Sequence, residues 1–309
     1  MIETVLSTLF KVILPLSIPV IAGALLGRFK NLDTKPLLTL YLYFLSPAII
    51  LDTLATAEIS FDDVYKTLSF SLLNLFLLWG LANVLGRVLK LAPAEAAGLT
   101  LVSTFTNSVN YGLPLVLLAF GQLGLDKASV YVIGQMVIVN TIGVYFAARS
   151  QFSVRSAVKS VFSLPAIYAA ILALMLRALG LHMPDELASG VAMVAGAYSP
   201  VVLAILGAQM VKVKAAQTER NVQLAFWTGI TVRLLLAPLL AALVLLLLNI
   251  TGTLFSVLLI LASMPVAVNS VVLAERFSSS PSLVSRCIVW TTLASFLVLP
   301  VLIVVVGSV

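Results

Sequence analysis

The run Thr104-Phe105-Thr106-Asn107-Ser108-Val109-Asn110-Tyr111-Gly112-Leu113-Pro114 sets seven polar, Gly or Pro residues in the middle of an otherwise apolar stretch, 94–121. Pro114 has no backbone N–H and disfavours helical geometry at Leu113, and Gly112 accepts dihedrals that other residues avoid. A helix through this stretch is expected to open there, leaving Asn107 and Asn110 beside backbone groups that have lost their helical partners. A second run, Ala262-Ser263-Met264-Pro265-Val266-Ala267-Val268-Asn269-Ser270, has the same character with fewer polar groups and no glycine. Amides, hydroxyls and freed N–H groups donate hydrogen bonds without carrying fixed charge. Converging on one point, they suit a small anion, above all a carboxylate. Asn107, Asn110, Gly112, Pro114, Pro265, Asn269 and Ser270 are therefore the candidate binding residues. The alternative is a pair of proline kinks whose asparagines glue helices together.

The surroundings fix the medium in which such breaks must be held. The chain has 309 residues, 61% of them hydrophobic and only 10% charged, with a mean hydropathy of +1.15. A soluble fold cannot hide so much apolar surface, and a helix needs about 20 apolar residues to cross the hydrocarbon. Apolar runs bounded by charges or turn residues give ten spans: 4–28, 36–56, 65–89, 94–121, 127–148, 160–180, 187–210, 224–249, 253–276 and 285–307. The first break lies about 18 Å from Glu95 and about 12 Å from Gly121 at 1.5 Å per residue, near midplane. Backbone groups without partners are tolerated at that depth only inside protein or beside a water-filled cavity. The connections are short, so function has to sit within the membrane. The first span resembles a signal peptide at Ala22-Gly23-Ala24 but begins with Glu3 and has no basic leader, and it is expected to be retained.

Lys and Arg separate the two sides. Alternate loops hold Arg28, Lys30, Lys35; Arg87, Lys90; Arg149, Arg155, Lys159; Lys212, Lys214, Arg220; and Arg276, Arg286, thirteen in all, against Lys66, Lys127 and Arg177 opposite. By the positive-inside rule the basic side is cytoplasmic and both termini are extracytoplasmic, in a plasma (inner) membrane. Proline landmarks recur at nearly one offset: Pro15 and Pro165 by 150, Pro47 and Pro200 by 153, Pro114 and Pro265 by 151. Two five-helix repeats, 1–150 and 155–309, are expected. An odd number of helices per copy makes the second run upside down, so that the half-helices after the breaks in spans 4 and 9 both begin at midplane. The fold class is an all-α membrane protein of ten transmembrane helices in two inverted repeats.

Other residues carry weaker signals. Asp52 is the only acid well inside the spans of the first repeat. It serves either a coupling proton or cation or, about one turn from a helix end, the interface. Arg233 and Lys11 attract anions or mark an interface, the former if span 8 begins near Thr231; Lys11 can also snorkel along its stem. Glu275 and Arg276 mark the cytoplasmic end of span 9, His182 has no companions in an outer loop, and Gly23 to Gly27 form a small-residue packing motif. Cys287 excludes a disulfide framework and a multi-thiolate metal site, and reads as packing. The net charge of +6 is scattered over loops, which points to membrane orientation and not to nucleic acid. No nucleotide-binding, HExxH, GxSxG or paired-aspartate motif appears, so neither ATP coupling nor enzyme chemistry is expected. No cofactor is implied beyond a coupling ion, Na+ or H+.

Asn107-Ser108-Val109-Asn110-Tyr111-Gly112-Leu113-Pro114, with Met264-Pro265-Val266-Ala267-Val268-Asn269 followed by Leu273-Ala274, resembles the auxin efflux carrier family, across nearly the whole chain. That family takes in plant auxin exporters and bacterial carriers assigned to malate or malonate. The resemblance implies the fold of bile acid sodium symporters, with a scaffold (helices 1, 2, 6 and 7) and a moving crossover unit (helices 3–5 and 8–10) in an elevator-type homodimer. By matched position Asn107, Gly112, Pro114, Pro265 and Asn269 are its functional residues. Val266 stands where relatives often carry a polar residue, and the short link between spans 5 and 6 favours a bacterial or archaeal carrier. The expectation is a secondary transporter of a small organic anion. The alternative is a Na+- or H+-coupled symporter or exchanger of the same fold with a different cargo.

Overall fold

The structure, a computed structural model, describes residues 2–56, 60–143, 145–146, 162–211 and 220–307. The regular structure among the described residues is helical apart from one isolated β-bridge, with short turns and irregular chain between the helices. Seven helices are long and apolar enough to cross a membrane by length and composition: α1 (Glu3–Phe29), α2 (Thr34–Ala55), α3 (Phe61–Val88), α5 (Ser108–Ile138), α7 (Asp185–Met210), α8 (Asn221–Leu247) and α11 (Pro281–Gly307). Four shorter helices stand beside them among the described residues: α4 (Pro93–Thr104), α6 (Pro165–Ala178), α9 (Gly252–Ala262) and α10 (Ser270–Arg276). Arg149, Arg155, Lys159, Lys212 and Lys214, which weigh in the orientation count, and the repeat boundary at 150–155 lie outside the described residues.

Local chemistry starts and stops these helices. Asn31, Lys90, Gly180 and Asn249 adopt positive φ of 51°, 51°, 64° and 51° just past the ends of α1, α3, α6 and α8, a left-handed stop that frees the chain to turn. Asp33 accepts from the Lys35 N–H at 3.1 Å to cap α2, and Ser60 and Asp63 form a reciprocal capping box on α3. Gly121, at φ 65° and ψ −159°, interrupts α5 and makes it two arms. A β-carbon on Gly124 would lie 3.2 Å from Val116 Cγ1, whereas eight residues of straight helix span about 12 Å, so the chain doubles back there.

Four of the prolines inside the spans follow a widened helical turn, whereas Pro19 and Pro300 lie within regular helix. Four π turns, Leu9–Ile13, Tyr41–Leu45, Ser108–Gly112 and Val232–Leu236, each end two residues before a proline: Pro15, Pro47, Pro114 and Pro238. The proline ring crowds the carbonyl four residues back and donates nothing to it, and the wider turn relieves that clash.

Packing divides the helices into two kinds. α1 and α7 meet along a seam of small residues, where Gly23 faces the Ala204 backbone and Gly207 faces the Val20 carbonyl. The motif from Gly23 to Gly27 is thus a packing device, as expected. In contrast, α4 from Gly98 to Thr104 and α9 from Ser256 to Ala262 are buried at every residue. Helices apolar on all sides belong in the centre of a bundle. Outward faces of the longer helices remain apolar, with Ile18 65%, Leu239 67% and Leu297 71% exposed, as lipid contact requires.

Candidate functional site

α4 ends at Thr104 and α9 at Ala262, and the chain beyond each is extended where the two meet. Thr106 and Val266 form an antiparallel bridge: the Asn107 N–H donates to the Pro265 carbonyl at 2.8 Å, and the Ala267 N–H to the Phe105 carbonyl at 3.0 Å. The Val266 N–H donates to Thr291 Oγ1 on α11 at 3.1 Å, and that hydroxyl donates to the Cys287 carbonyl at 2.6 Å. Each broken end thus satisfies the other's backbone, which is what permits irregular chain away from water.

Beside this bridge lies a cavity of about 80 Å³, lined by Asn107, Asn110 and Asn269 together with Tyr41, Ser46 and Gln135. None of its lining residues carries a formal charge. Asn107 and Asn110 are buried, whereas Asn269 is exposed at the cavity rim. Several buried polar atoms near the crossing have no partner among the described residues, Asn107 Nδ2, Ser108 Oγ, Asn110 Oδ1 and Ser270 Oγ among them. Buried polar groups are almost always hydrogen-bonded, so a cluster of exceptions marks a place shaped for a polar guest. Tyr198 on α7 grips the same segment, donating to the Val109 carbonyl at 3.1 Å with its ring 6.0 Å from that of Tyr41.

The predicted residues divide as follows. Asn107, Asn110 and Asn269 come together at the cavity; Pro265 adjoins them through its carbonyl; Ser270 is buried near the crossing without lining the cavity. Gly112 and Pro114 do not open the helix. The opening lies upstream, where Phe105 is extended (φ −104°, ψ 123°), whereas Gly112 is ordinarily helical (φ −67°, ψ −46°). Gly112 serves close approach instead, since a β-carbon there would lie 2.7 Å from Leu261 Cδ2 of α9. Pro114 begins the helical part of α5 and frees the Asn110 carbonyl, which would otherwise accept from its N–H. Pro114 and Pro265 accordingly hold different places: Pro265 lies in the crossing and Pro114 eight residues past it. Asp52 is half-buried on α2 and does not line the cavity. The second half-helix, α10, has seven residues, so it offers a much weaker dipole than the first arm of α5.

Arg233 departs from the interfacial reading. α8 begins at Asn221, so Arg233 lies about 18 Å into the span and not at its cytoplasmic end. It is fully buried, donating through Nη1 to the Ser103 carbonyl at 3.0 Å and through Nη2 to the Ala262 carbonyl. Those carbonyls belong to the last turns of α4 and α9. Lys11, in contrast, is exposed.

Sequence reasoning passed over Tyr41, Gln135 and Tyr198. A glutamine alone in an apolar span, buried at 7% exposure, was a readable signal for Gln135. Two tyrosines were not distinguishable from packing aromatics. The tripeptide Asn107-Ser108-Val109 also recurs as Asn269-Ser270-Val271.

Two buried helices whose ends are joined by a β-bridge beside an uncharged polar cavity, within a bundle of apolar helices, suit a multi-pass membrane protein of the transport class. The chain matches the membrane transport protein family over residues 4–156 and 150–303, and it belongs to that family, in keeping with its resemblance to auxin efflux carriers. It is 28% identical over 300 residues to an uncharacterized transporter of Methanothermobacter thermautotrophicus, covering 96% of each chain. It is 26% identical over 284 residues to an uncharacterized transporter of Methanocaldococcus jannaschii, covering 88% of this chain and 90% of the relative. It is a transport protein and not an enzyme.

Proposed function

We propose that the protein is a secondary transporter of a small organic anion, working by alternating access at the crossing of its two broken helices. The observation that carries this reading is the buried, unpartnered Asn107 Nδ2 at the cavity wall, a donor that a carboxylate oxygen would satisfy. Asn107 lies just ahead of the first arm of α5, whose opening N–H groups at Ser108, Val109 and Asn110 border the same cavity. A helix N-terminus adds partial positive charge there without a formal cation. A cavity of about 80 Å³ has room for about five water-sized groups. That size favours a small aliphatic carboxylate over a bulky aromatic acid.

The reading extends to ten crossings in two inverted repeats. α4 with the first arm of α5, and α9 with α10, each make one broken crossing; the second arm of α5 and the six unbroken long helices with α6 make the rest. Three spacings support the repeat: Asn221 begins a helix 160 residues after Phe61, Gly252 one 159 after Pro93, and Val266 stands 160 after Thr106. The seam between α1 and α7 suits a static scaffold, with the buried crossing as part of the moving unit, in a homodimer with both termini extracytoplasmic.

Asn107→Ala tests the site. Purified protein is melted with and without malonate, malate and an indole-type acid. A malonate-induced rise in melting temperature that survives in the wild type and is lost in Asn107→Ala, with folding intact, is expected. Unchanged carboxylate binding in the variant refutes the site.

A further inference from the structure

The C-terminal ends of α4 and α9 meet at the crossing, and each carries unsatisfied carbonyls and about half a negative charge. In transporters with broken helices such ends, together with unwound carbonyls, hold the coupling cation. Here both ends are taken by one side chain: Arg233 donates to Ser103 and to Ala262, carbonyls 130 and 29 residues away in the chain. No carboxylate among the described residues pairs with it. A guanidinium that is fully buried within a span has to be neutralised by something. The two helix ends supply about one negative charge between them, which matches it. Its planar fork reaches two acceptors at once, which an ammonium on a flexible stem does less well.

We propose that Arg233 is a tethered counter-ion occupying the place of a coupling cation, so that the crossing assembles, and the anion binds, without free sodium. The π turn Val232–Leu236 aims it, and Pro238 holds that turn open. Arg233 does not line the cavity and acts through the backbone of the crossing, so it is a positioning residue. The part concerning the anion rests on the transporter reading above; the part concerning the cation does not.

The test uses full-length purified wild type, Arg233→Ala and Arg233→Lys, melted in sodium chloride or choline chloride at equal ionic strength, with and without low-millimolar guanidinium. The wild type is expected to melt at the same temperature in both salts and to ignore guanidinium. Arg233→Ala is expected to melt lower and to be raised by guanidinium, and by sodium over choline. In a second arm malonate binds the wild type equally in both salts. It binds Arg233→Ala at least about tenfold more weakly in choline, with recovery in guanidinium. Two outcomes overturn the proposal: a wild type that needs sodium, or an Arg233→Ala variant that no small cation rescues. If that variant does not fold, the wild type and Arg233→Lys decide, since sodium dependence in either refutes a built-in cation. Absence of carboxylate binding in every buffer would count against the transporter reading alone, because the cation arm needs no anion.

Discussion

Gly207→Ala is the smallest change that should separate α1 from α7. A β-carbon at position 207 would lie 1.8 Å from the Val20 carbonyl oxygen and 2.9 Å from the Ala24 nitrogen, both backbone atoms that no rotamer change can move. Ordinary contact begins at 3.4 Å, so the helices must open by about 1.6 Å at this point. A gap of 0.5–1 Å already forfeits about a quarter to a half of a contact's attraction. Leu16 and Val20 on α1 and Leu203 and Leu206 on α7, all buried, lie along these two helices. Losing about half of their contact gives a destabilisation on the order of 3 kcal/mol, in the range of a large core truncation. Helix association in lipid depends on such close packing, because burial from water adds little between apolar helices. The assay is thermal unfolding in detergent, with Gly190→Ala as control, since a β-carbon there meets nothing within 4 Å. The control should match the wild type or gain up to about 1 kcal/mol from helix propensity. A Gly207→Ala protein as stable as the control would refute the seam as the scaffold's contact.

Two further changes probe the crossing. Thr291→Val keeps the side-chain shape but strands the Val266 N–H, now bonded at 3.1 Å, and should cost about 1–3 kcal/mol in thermal unfolding; a neutral result would mean that α11 does not hold the second break. Gly112→Ala should stay within about 1 kcal/mol of the wild type, because Gly112 is helical and the only clash, at 2.7 Å, is with the flexible end of Leu261, whereas Gly112→Leu should unfold far more readily. A severe loss for alanine would restore the idea that this glycine is needed for its dihedrals.

The sequence disclosed elements through features that need no partner. Long apolar runs and the polar run around Asn107 are local, and the apolar helices and the breaks after Thr104 and Ala262 lie along the stretches these signals marked. What it hid depends on distant backbone. Nothing near Arg233 in the chain says that its acceptors are the carbonyls of Ser103 and Ala262, so it read as an interfacial charge. Gly112 read as a hinge because glycine permits both a bend and a close approach, and only Leu261 decides between them. Pro114 and Pro265 match as residue types although one starts a helix and the other joins the crossing.

The prolines act on the site from outside it. A π turn admits one extra residue, which rotates everything on one side of it by about 100° relative to the other. Tyr41 opens one such turn and Arg233 is the second residue of another, and both turns precede prolines that touch neither the cavity nor the crossing. Pro47 and Pro238 leave the carbonyls four residues back, those of Tyr43 and Leu234, without the usual helical donor, so neither ladder is closed there. The same device ahead of Pro114 places Ser108, Val109 and Asn110 along the cavity wall. Three prolines on three helices thus aim a tyrosine, an amide-rich turn and a guanidinium at one crossing. This explains why polar groups that would be costly anywhere else in the bundle are collected there.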